Sequence, residues 1–231
     1  MIGLTAAARR LVAATSPVLC IDTCSLLDLI RDPTRSKFER RHADAALHLV
    51  ARAETRPATL MIVLTEQVIN ELDTNLDNVT ADGKSAIERI NLSLELFKAY
   101  GLLSSLPSPA VDPAAFVDAA KSIIQRFRRV AIITKGSAAS QRRAWGRVSG
   151  PRAPARKGKE SAKDCVIIEN YLQLILEARA QGLTEKALLL TSNTADYADA
   201  PSHRLHRDLE PDFDSAGLEF ASDFVRARYS I

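Results

Sequence analysis

Four short apolar runs along the chain predict strands that are buried on both faces. They cover residues 18–21, 60–64, 187–190 and, as a weaker signal, 218–220. Each run is continuous and lacks the polar alternation of a strand with one face in solvent. Continuous apolar strands are typical of a parallel sheet that helices cover on both sides. The pattern therefore predicts a central, mostly parallel sheet.

Stretches with helical periodicity lie between these runs, at residues 25–30, 43–53, 66–76, 85–100, 112–127 and 161–180. In the fourth stretch the apolar positions share one face, and Gly101 follows as a stop signal. In the fifth, Asp112 and Pro113 supply an N-cap and a first-turn proline. Strands that alternate with helices favour right-handed crossovers. We therefore predict a three-layer α/β/α sandwich around the sheet.

One segment departs from this alternation and is rich in positive charge. Residues 134–163 contain glycines, two prolines and a single acidic residue, Glu160. Their cations are Lys135, Arg142, Arg143, Arg147, Arg152, Arg156, Lys157, Lys159 and Lys163. Because the net charge of the chain is only +3, this local concentration is more informative than the total. We expect the segment to contact phosphates, with a solvated flexible loop as the alternative.

Aromatic residues make up 5% of the chain, which argues against an extended platform for stacking bases. Trp145 lies in the basic segment, and we expect it to anchor that segment to the core, with stacking on a base as the alternative. His203 and His206 are expected to be surface residues, with catalysis or metal binding as the alternative.

Three cysteines, Cys20, Cys24 and Cys165, lie in apolar runs and are expected to be reduced, buried thiols. The first 20 residues are apolar only in short pieces, which Arg9 and Arg10 interrupt. They match neither a signal peptide nor a membrane span. We therefore expect a cytoplasmic protein without a membrane partner.

Acidic and amide side chains lie at or near the predicted ends of the strands. Asp22 ends the first strand, and Asn193 and Asp196 follow the third. Glu71 lies on the helix after the second strand, and Asp164 lies at the start of the helix predicted over residues 161–180. Sites in open α/β sheets form beyond the carboxyl ends of the strands, so we expect these side chains to meet. Taken singly, each has a structural explanation: a helix cap, a solvated helix residue, a first-turn acid or a turn residue.

Carboxylates that share a small volume repel one another, and a cation relieves that repulsion. Mg²⁺ and Mn²⁺ prefer oxygen ligands, so the acids predict a site for one or two such ions. A bound ion polarises a phosphoryl oxygen and acidifies water. Participation of Glu66 and Glu160 is left open.

Four segments resemble the PIN domain family and occur in that family's order. VLCIDTCSLLDLI resembles its first strand and helix, with Asp22 as the first acid. VLTEQVINELD is similar to its second strand and helix, with Glu71 in the family's Glu-Leu pair. KDCVIIENYLQLI resembles the helix that begins with the third acid, Asp164. In LLLTSNTADYAD, Asn193 and Asp196 would complete the site.

The resemblance covers roughly residues 17–76 and 160–200, and the stretch between them is longer than in compact members of the family. We therefore predict a single PIN-like domain over residues 1–231, with a helical and basic insertion at about 77–160, as in an enlarged bacterial subfamily. One position departs from the pattern, because the family often has Asp where this chain has Asn193.

The resemblance implies a nuclease that depends on Mg²⁺ or Mn²⁺ and cleaves RNA, with DNA as a less favoured substrate. It implies that Asp22, Glu71, Asp164 and Asp196 are catalytic and that the same four side chains, with Asn193, hold the metal. The basic residues expected to bind the nucleic acid are Arg152, Arg156, Lys157, Lys159 and Lys163. The family includes toxins of toxin–antitoxin pairs, so an antitoxin or a second copy of the chain are further expected partners.

Three other functions stay open on the sequence. The chain could be a PIN-like module that binds nucleic acid without cleaving it, because Asn193 leaves the acids incomplete. It could be another Mg²⁺-dependent phosphohydrolase acting on small phosphate esters, although a second Asp two residues after Asp22 is absent. It could also be an interacting half of a larger assembly.

Overall fold

Five strands form one sheet in which every neighbouring pair is parallel. They are β1 (Val18–Ile21), β2 (Met61–Thr65), β3 (Ile132–Thr134), β4 (Ala187–Leu190) and β7 (Leu218–Ala221), in the order β3-β2-β1-β4-β7. A short antiparallel ribbon joins β5 (Ala198–Asp199) to β6 (Arg204–Leu205). The computed structural model describes residues 1–35, 38–102, 110–156, 161–199 and 204–231. The predicted parallel sheet is confirmed.

Strand β1 lies at the centre of the sheet because it pairs on both sides. Val18 is in register with Met61 of β2 and with Ala187 of β4. Every residue of β1 and of β4 is buried, as expected for strands covered on both faces. The four apolar runs of the sequence correspond to four of these strands, with boundaries that differ by one residue at most.

Ten helices lie in the described part of the chain: α1 (Leu4–Ala14), α2 (Thr23–Leu27), α3 (Arg40–Glu54), α4 (Glu66–Ala99), α5 (Pro113–Val130), α6 (Ala138–Ser149), α7 (Ala162–Ala180), α8 (Thr194–Tyr197), α9 (Glu210–Ala216) and α10 (Phe224–Ser230). Helices α1, α6 and α9 pack on α7, whereas α3 packs against α5 and α10. These two groups cover the sheet, so the predicted three-layer α/β/α sandwich is confirmed. Within the described ranges, no helix combines the length and the apolar character needed to cross a bilayer.

Helix α4 is a single helix of 34 residues, and the prediction of two separate helices there was wrong. Thr65 caps its start by accepting a hydrogen bond from the backbone N–H of Val68 at 3.2 Å. The helix continues through Gly83, which is buried against Ile30, a residue of the segment after α2. A Cβ at position 83 would lie 2.5 Å from the carbonyl oxygen of Ile30. At 1.5 Å per residue the helix is about 50 Å long.

The basic segment contains regular structure that the sequence analysis missed. Strand β3 begins just before it and forms one edge of the sheet, and α6 occupies its first half. The alternative of a flexible loop is therefore excluded for residues 138–149, which form α6. The prediction of one domain with an insertion at about 77–160 stays a prediction, and that stretch holds most of α4 together with α5, β3 and α6.

The backbone of Ile2 extends the sheet at the β3 edge. Its N–H donates to the carbonyl oxygen of Ile133 at 2.9 Å, and its carbonyl oxygen accepts from the N–H of Lys135 at 2.9 Å. The bridge is parallel, like the rest of the sheet.

Candidate active site

The carboxyl ends of β1, β2 and β4 meet at one edge of the sheet and carry the predicted acids or their helices. Asp22 follows β1 directly, and its backbone N–H donates to the carbonyl oxygen of Leu190 at the end of β4. Glu71 lies in the second turn of α4, which starts where β2 ends. The topology therefore brings together residues that are distant in sequence.

Asp22 is the most firmly held acid of the site. It is 2% exposed, and its carboxylate accepts hydrogen bonds from the N–H of Thr23 (2.7 Å), the hydroxyl of Thr191 (2.7 Å) and the thiol of Cys24 (3.0 Å). Asp22 also caps α2. Its role as a helix cap is compatible with its predicted role as an acid of the active site. Burial raises the pKa of Asp22, the three hydrogen bonds oppose that shift, and the negative charge of Glu71 raises the pKa further.

Thr23 links the first two acids. Its backbone N–H binds Asp22, while its hydroxyl donates to Oε2 of Glu71 at 2.9 Å. Gln67, one turn earlier on α4, donates to Oε1 of Glu71 at 3.0 Å. Both oxygens of Glu71 are thus oriented, and its charge acts on Asp22.

Asp164 lies in the first turn of α7, and Tyr197 ties this turn to the site. The hydroxyl of the buried Tyr197 donates to the backbone carbonyl of Asp164 at 3.1 Å. Burial raises the pKa of Tyr197 well above its ordinary value, and the charges of Asp22 and then Asp164 raise it further. The charges of both acids therefore act on the hydroxyl of Tyr197.

Asp196 is engaged by residues from two segments. It is 1% exposed, and its Oδ2 accepts a hydrogen bond from the side-chain amide of Asn193 at 2.9 Å. Its Oδ1 lies 3.1 Å from Nε of Arg156, whose side chain is 50% exposed. The structure thus pairs a predicted metal ligand with a predicted nucleic-acid-binding cation, which the sequence analysis did not anticipate.

The other basic residues have different environments. Arg152 and Lys163 are exposed, whereas Lys157 and Lys159 lie outside the described residues, as do Glu160 and His203. Arg147 was wrongly included among the cations expected to meet phosphates. It is 1% exposed and forms ion pairs with Glu169 and Asp212.

Two aromatic predictions have mixed outcomes. Trp145 does not anchor the basic segment, because 67% of the residue is exposed on α6, so that expectation was wrong. His206 is only partly exposed, and its Nδ1 accepts from the backbone N–H of Asp208 at 3.1 Å.

A cleft of about 600 Å³ is lined by residues that follow β1 and β4, although Asp22, Glu71, Asp164 and Asp196 are not part of its lining. Cys24, Ser192 and Asn193 line the end nearest the site, and the loop after α2 and the start of α10 form its walls. Its cations include Arg31 and Arg35, both of which are ion-paired with Asp28. The cleft therefore offers polar walls to a ligand that reaches the carboxyl ends of the strands.

The donor chemistry of the site suits a hard divalent cation, but its geometry is not a closed ligand cage. Among the described residues, no three His, Cys, Asp or Glu side chains are grouped so that they could share a metal ion. Mg²⁺ in proteins commonly keeps several waters and binds through one or two carboxylates. Asp22 and Glu71, which interact electrostatically and are linked through Thr23, fit that mode.

The parallel sheet, the helices on both of its faces and the acids at its carboxyl ends define an α/β domain with a candidate site at that edge. Comparison with family models agrees: the model described as PIN domain matches residues 19–197. The chain belongs to the PIN domain family, whose members are in general nucleases and typically depend on divalent metals. Comparisons with curated proteins and with solved structures returned no match.

Sequence reasoning missed the neutral residues that organise the acids. Thr23, Thr191 and Tyr197 each donate a hydrogen bond in the site. Two of them carried a usable signal, since Thr23 follows the first acid directly and Thr191 ends the run of β4. Tyr197 had none, because its partner is a backbone carbonyl 33 residues away.

Proposed function

We propose that this PIN domain is a metal-dependent endoribonuclease that hydrolyses phosphodiester bonds in RNA, with DNA as a less favoured substrate. The observation that carries the proposal is the buried Asp22, whose pKa is raised by burial and raised further by the charge of Glu71. Mg²⁺ or Mn²⁺ would relieve this repulsion, with Asp22 and Glu71 as its protein ligands and water completing its coordination. Metal binding by Asp164 stays a prediction from the sequence. When bound, such an ion polarises a phosphoryl oxygen and acidifies water.

The neutral side chains prepare these acids for that role. Thr23 and Thr191 fix the carboxylate of Asp22, and Thr23 with Gln67 fixes that of Glu71. Oriented carboxylates lose little freedom when a ligand arrives, which favours binding. The hydroxyl of Tyr197 holds the start of α7, and so the backbone of Asp164, at the same edge of the sheet.

Asp196 and Arg156 act together in this proposal. The ion pair at 3.1 Å supports a role for Asp196 in positioning the half-exposed guanidinium beside the acids. Guanidinium groups bind phosphate oxygens in a planar, charge-assisted geometry. Metal binding by Asp196 and Asn193 stays a prediction from the sequence.

The primary experiment incubates the protein with labelled RNA and DNA in Mn²⁺, Mg²⁺ or EDTA. We expect cleavage of RNA only with metal, and a loss of about 100-fold or more in Asp22→Asn, since a metal centre contributes several kcal/mol to the transition state. Asp73→Asn is the matched control: it lies on the same helix as Glu71, is 53% exposed and pairs with Arg128. Cleavage that persists in EDTA would contradict the proposal.

A second experiment separates metal binding from positioning by measuring Mn²⁺ binding and RNA binding on the same variants. If Asp196 positions Arg156, Asp196→Asn leaves Mn²⁺ affinity within about twofold and weakens RNA binding as Arg156→Ala does. A loss of Mn²⁺ affinity in Asp196→Asn, comparable to that in Asp22→Asn, would instead make Asp196 a ligand.

One observation favours a second function, binding of nucleic acid without cleavage. The amide of Asn193 stands where the family often has a carboxylate, and it is bound to Asp196. A protein that binds RNA in the first experiment but leaves it intact at every metal concentration has this function. Small phosphate esters in the same assay test the remaining hydrolase alternative.

The biological setting of the proposal is a cytoplasmic RNA-processing enzyme, and its narrower form is the toxin of a toxin–antitoxin pair. Three free thiols, one of them hydrogen-bonded to Asp22, are compatible with a reducing compartment. The toxin role requires an antitoxin that silences the metal-dependent cleavage when the two proteins are mixed.

A further inference from the structure

Trp145 occupies an unusual position for the largest side chain in proteins. It is 67% exposed, whereas tryptophan is highly buried on average. It is also the only tryptophan of the chain. An exposed indole on a rigid element is a common anchor for recognition, because it offers a large flat surface at a low entropic cost.

The exposure follows from a firmly fixed helix. The opposite face of α6 is buried through Ser140, Ala144 and Arg147. Ser140 donates to Asn170 of α7 at 2.5 Å, and Arg147 donates to Glu169 of α7 at 2.5 Å. Since both faces of a helix cannot point inward, these contacts direct Trp145 to solvent.

The surroundings of Trp145 favour a polyanion. Residues 134–156 contain no Asp or Glu. Arg142, one turn before Trp145, and Arg152, shortly after the helix, are both exposed. A single aromatic ring flanked by cations matches the way in which proteins hold single-stranded nucleic acid, with bases stacked on rings and phosphates paired with cations. An acidic protein surface would satisfy the cations but would leave the ring without a flat partner.

The position of α6 connects Trp145 to the acids. Its neighbour Ala144 packs against Cys165, the residue after Asp164. The chain that leaves α6 reaches Arg156, which pairs with Asp196 in the site. Helix α6 and the segment that follows it therefore contact the start of α7 and Asp196, which belong to the candidate site.

We propose that Trp145 is a base-stacking residue that receives an unpaired base of a single-stranded RNA, while Arg142 and Arg152 contact its phosphates. This inference rests on the proposed function and specifies its substrate: the RNA is single-stranded beside the cleavage point. A base inside a duplex cannot reach the ring, since both of its faces are covered by neighbouring bases.

The test uses the intrinsic fluorescence of the one tryptophan, so that the signal comes from Trp145 alone. The protein is titrated in EDTA with an unstructured oligonucleotide and with the corresponding duplex, and binding is followed in parallel by the anisotropy of a dye on the RNA. We expect the single strand to quench the emission in proportion to binding, and the duplex to leave it unchanged. Trp145→Ala should weaken binding of the single strand about fivefold or more, and Trp145→Phe should weaken it less.

Tyr100→Ala is the matched control, because Tyr100 is 69% exposed at the far end of α4. It should leave RNA binding unchanged. Emission that stays constant while anisotropy reports saturation overturns the inference, as does equal affinity of Trp145→Ala and the unaltered protein, or equal quenching by the duplex. If these results accompany metal-dependent cleavage of RNA, the inference alone fails. If the protein neither binds nor cleaves RNA, the inference and the proposed function fail together.

Discussion

Among the ion-paired residues that the structure describes, Arg147 is the one whose replacement by alanine should cost the most stability. The side chain is 1% exposed, and it forms hydrogen bonds with α7, with α9 and with the loop after α6. Its Nε donates to Glu169 of α7 at 2.5 Å, its Nη1 donates to the carbonyl oxygen of Ala153 at 2.8 Å, and its Nη2 donates to Asp212 of α9. Burial lowers the pKa of Arg147, but the charges of Glu169 and Asp212 more than offset this, and the pKa is raised.

The magnitude follows from what the substitution leaves behind. Glu169, 5% exposed, would keep only Arg143 as a cationic partner among those described, and Arg143 is 46% exposed. Breaking a buried pair by removing one partner costs about 3–5 kcal/mol, because the remaining charge stays buried. For a chain of this size, that corresponds to a fall in Tm of about 6–20 °C. Asp212, at 41% exposed, contributes little because water solvates it.

Urea unfolding followed by circular dichroism measures this cost, with Arg143→Ala as the control. The control removes the exposed partner of the same carboxylate, so it should cost about 1 kcal/mol or less. The double variant Arg147→Met, Glu169→Leu removes both charges and should recover most of the loss. A loss below about 1.5 kcal/mol in Arg147→Ala, or an equal loss in Arg143→Ala, would refute the reasoning.

Two further predictions concern the helices and the site. Gly83→Ala should destabilise the protein by about 1 kcal/mol or more despite the better helix propensity of alanine, because the new Cβ would lie 2.5 Å from the carbonyl oxygen of Ile30. Gly146→Ala, where nothing lies within 4 Å of the new Cβ, should stabilise it by about 0.5–1 kcal/mol; chemical denaturation compares the two, and the opposite order of stabilities would contradict the prediction. Asp22→Asn should raise stability near neutral pH, because burial and the charge of Glu71 raise the folded-state pKa of Asp22. The ionised carboxylate then costs stability above that pKa, and this cost vanishes below the unfolded value of about 4. The advantage of the variant in Tm should therefore shrink as the pH falls towards 4, and a variant less stable than the parent at pH 8 would count against it.

The sheet could be predicted from the sequence wherever a strand was long enough to show a pattern. Residues 18–21 and 187–190 were assigned correctly because their apolar runs end at polar residues. Strand β3 has three residues and follows a helix almost directly, so its run gave no periodicity of its own. The break predicted within α4 lies between the two stretches with helical periodicity, 66–76 and 85–100, and the structure continues the helix through the buried Gly83.

The order of strands and helices along the chain was enough to predict the acids of the candidate site, but not the contacts that their side chains make. The rule that sites form at the carboxyl ends of strands located Asp22 and Glu71, and the structure links these two acids through Thr23. The pairing of Arg156 with Asp196 joins residues 40 positions apart by side-chain geometry. No local pattern encodes such a contact, since it depends on how α7 and the loop before it are packed.

The hydrogen bonds between Ile2 and the β3 edge have a consequence for the behaviour of the protein in concentrated solution. An open strand edge is a template on which another molecule can add a strand, which is a route to aggregation. Ile2 occupies the backbone groups of Ile133 and Lys135 that such a strand would need. The hydrogen bonds of Ile2 therefore block edge-to-edge association at β3. Substitutions or truncations that remove these hydrogen bonds should first lower the solubility of the protein.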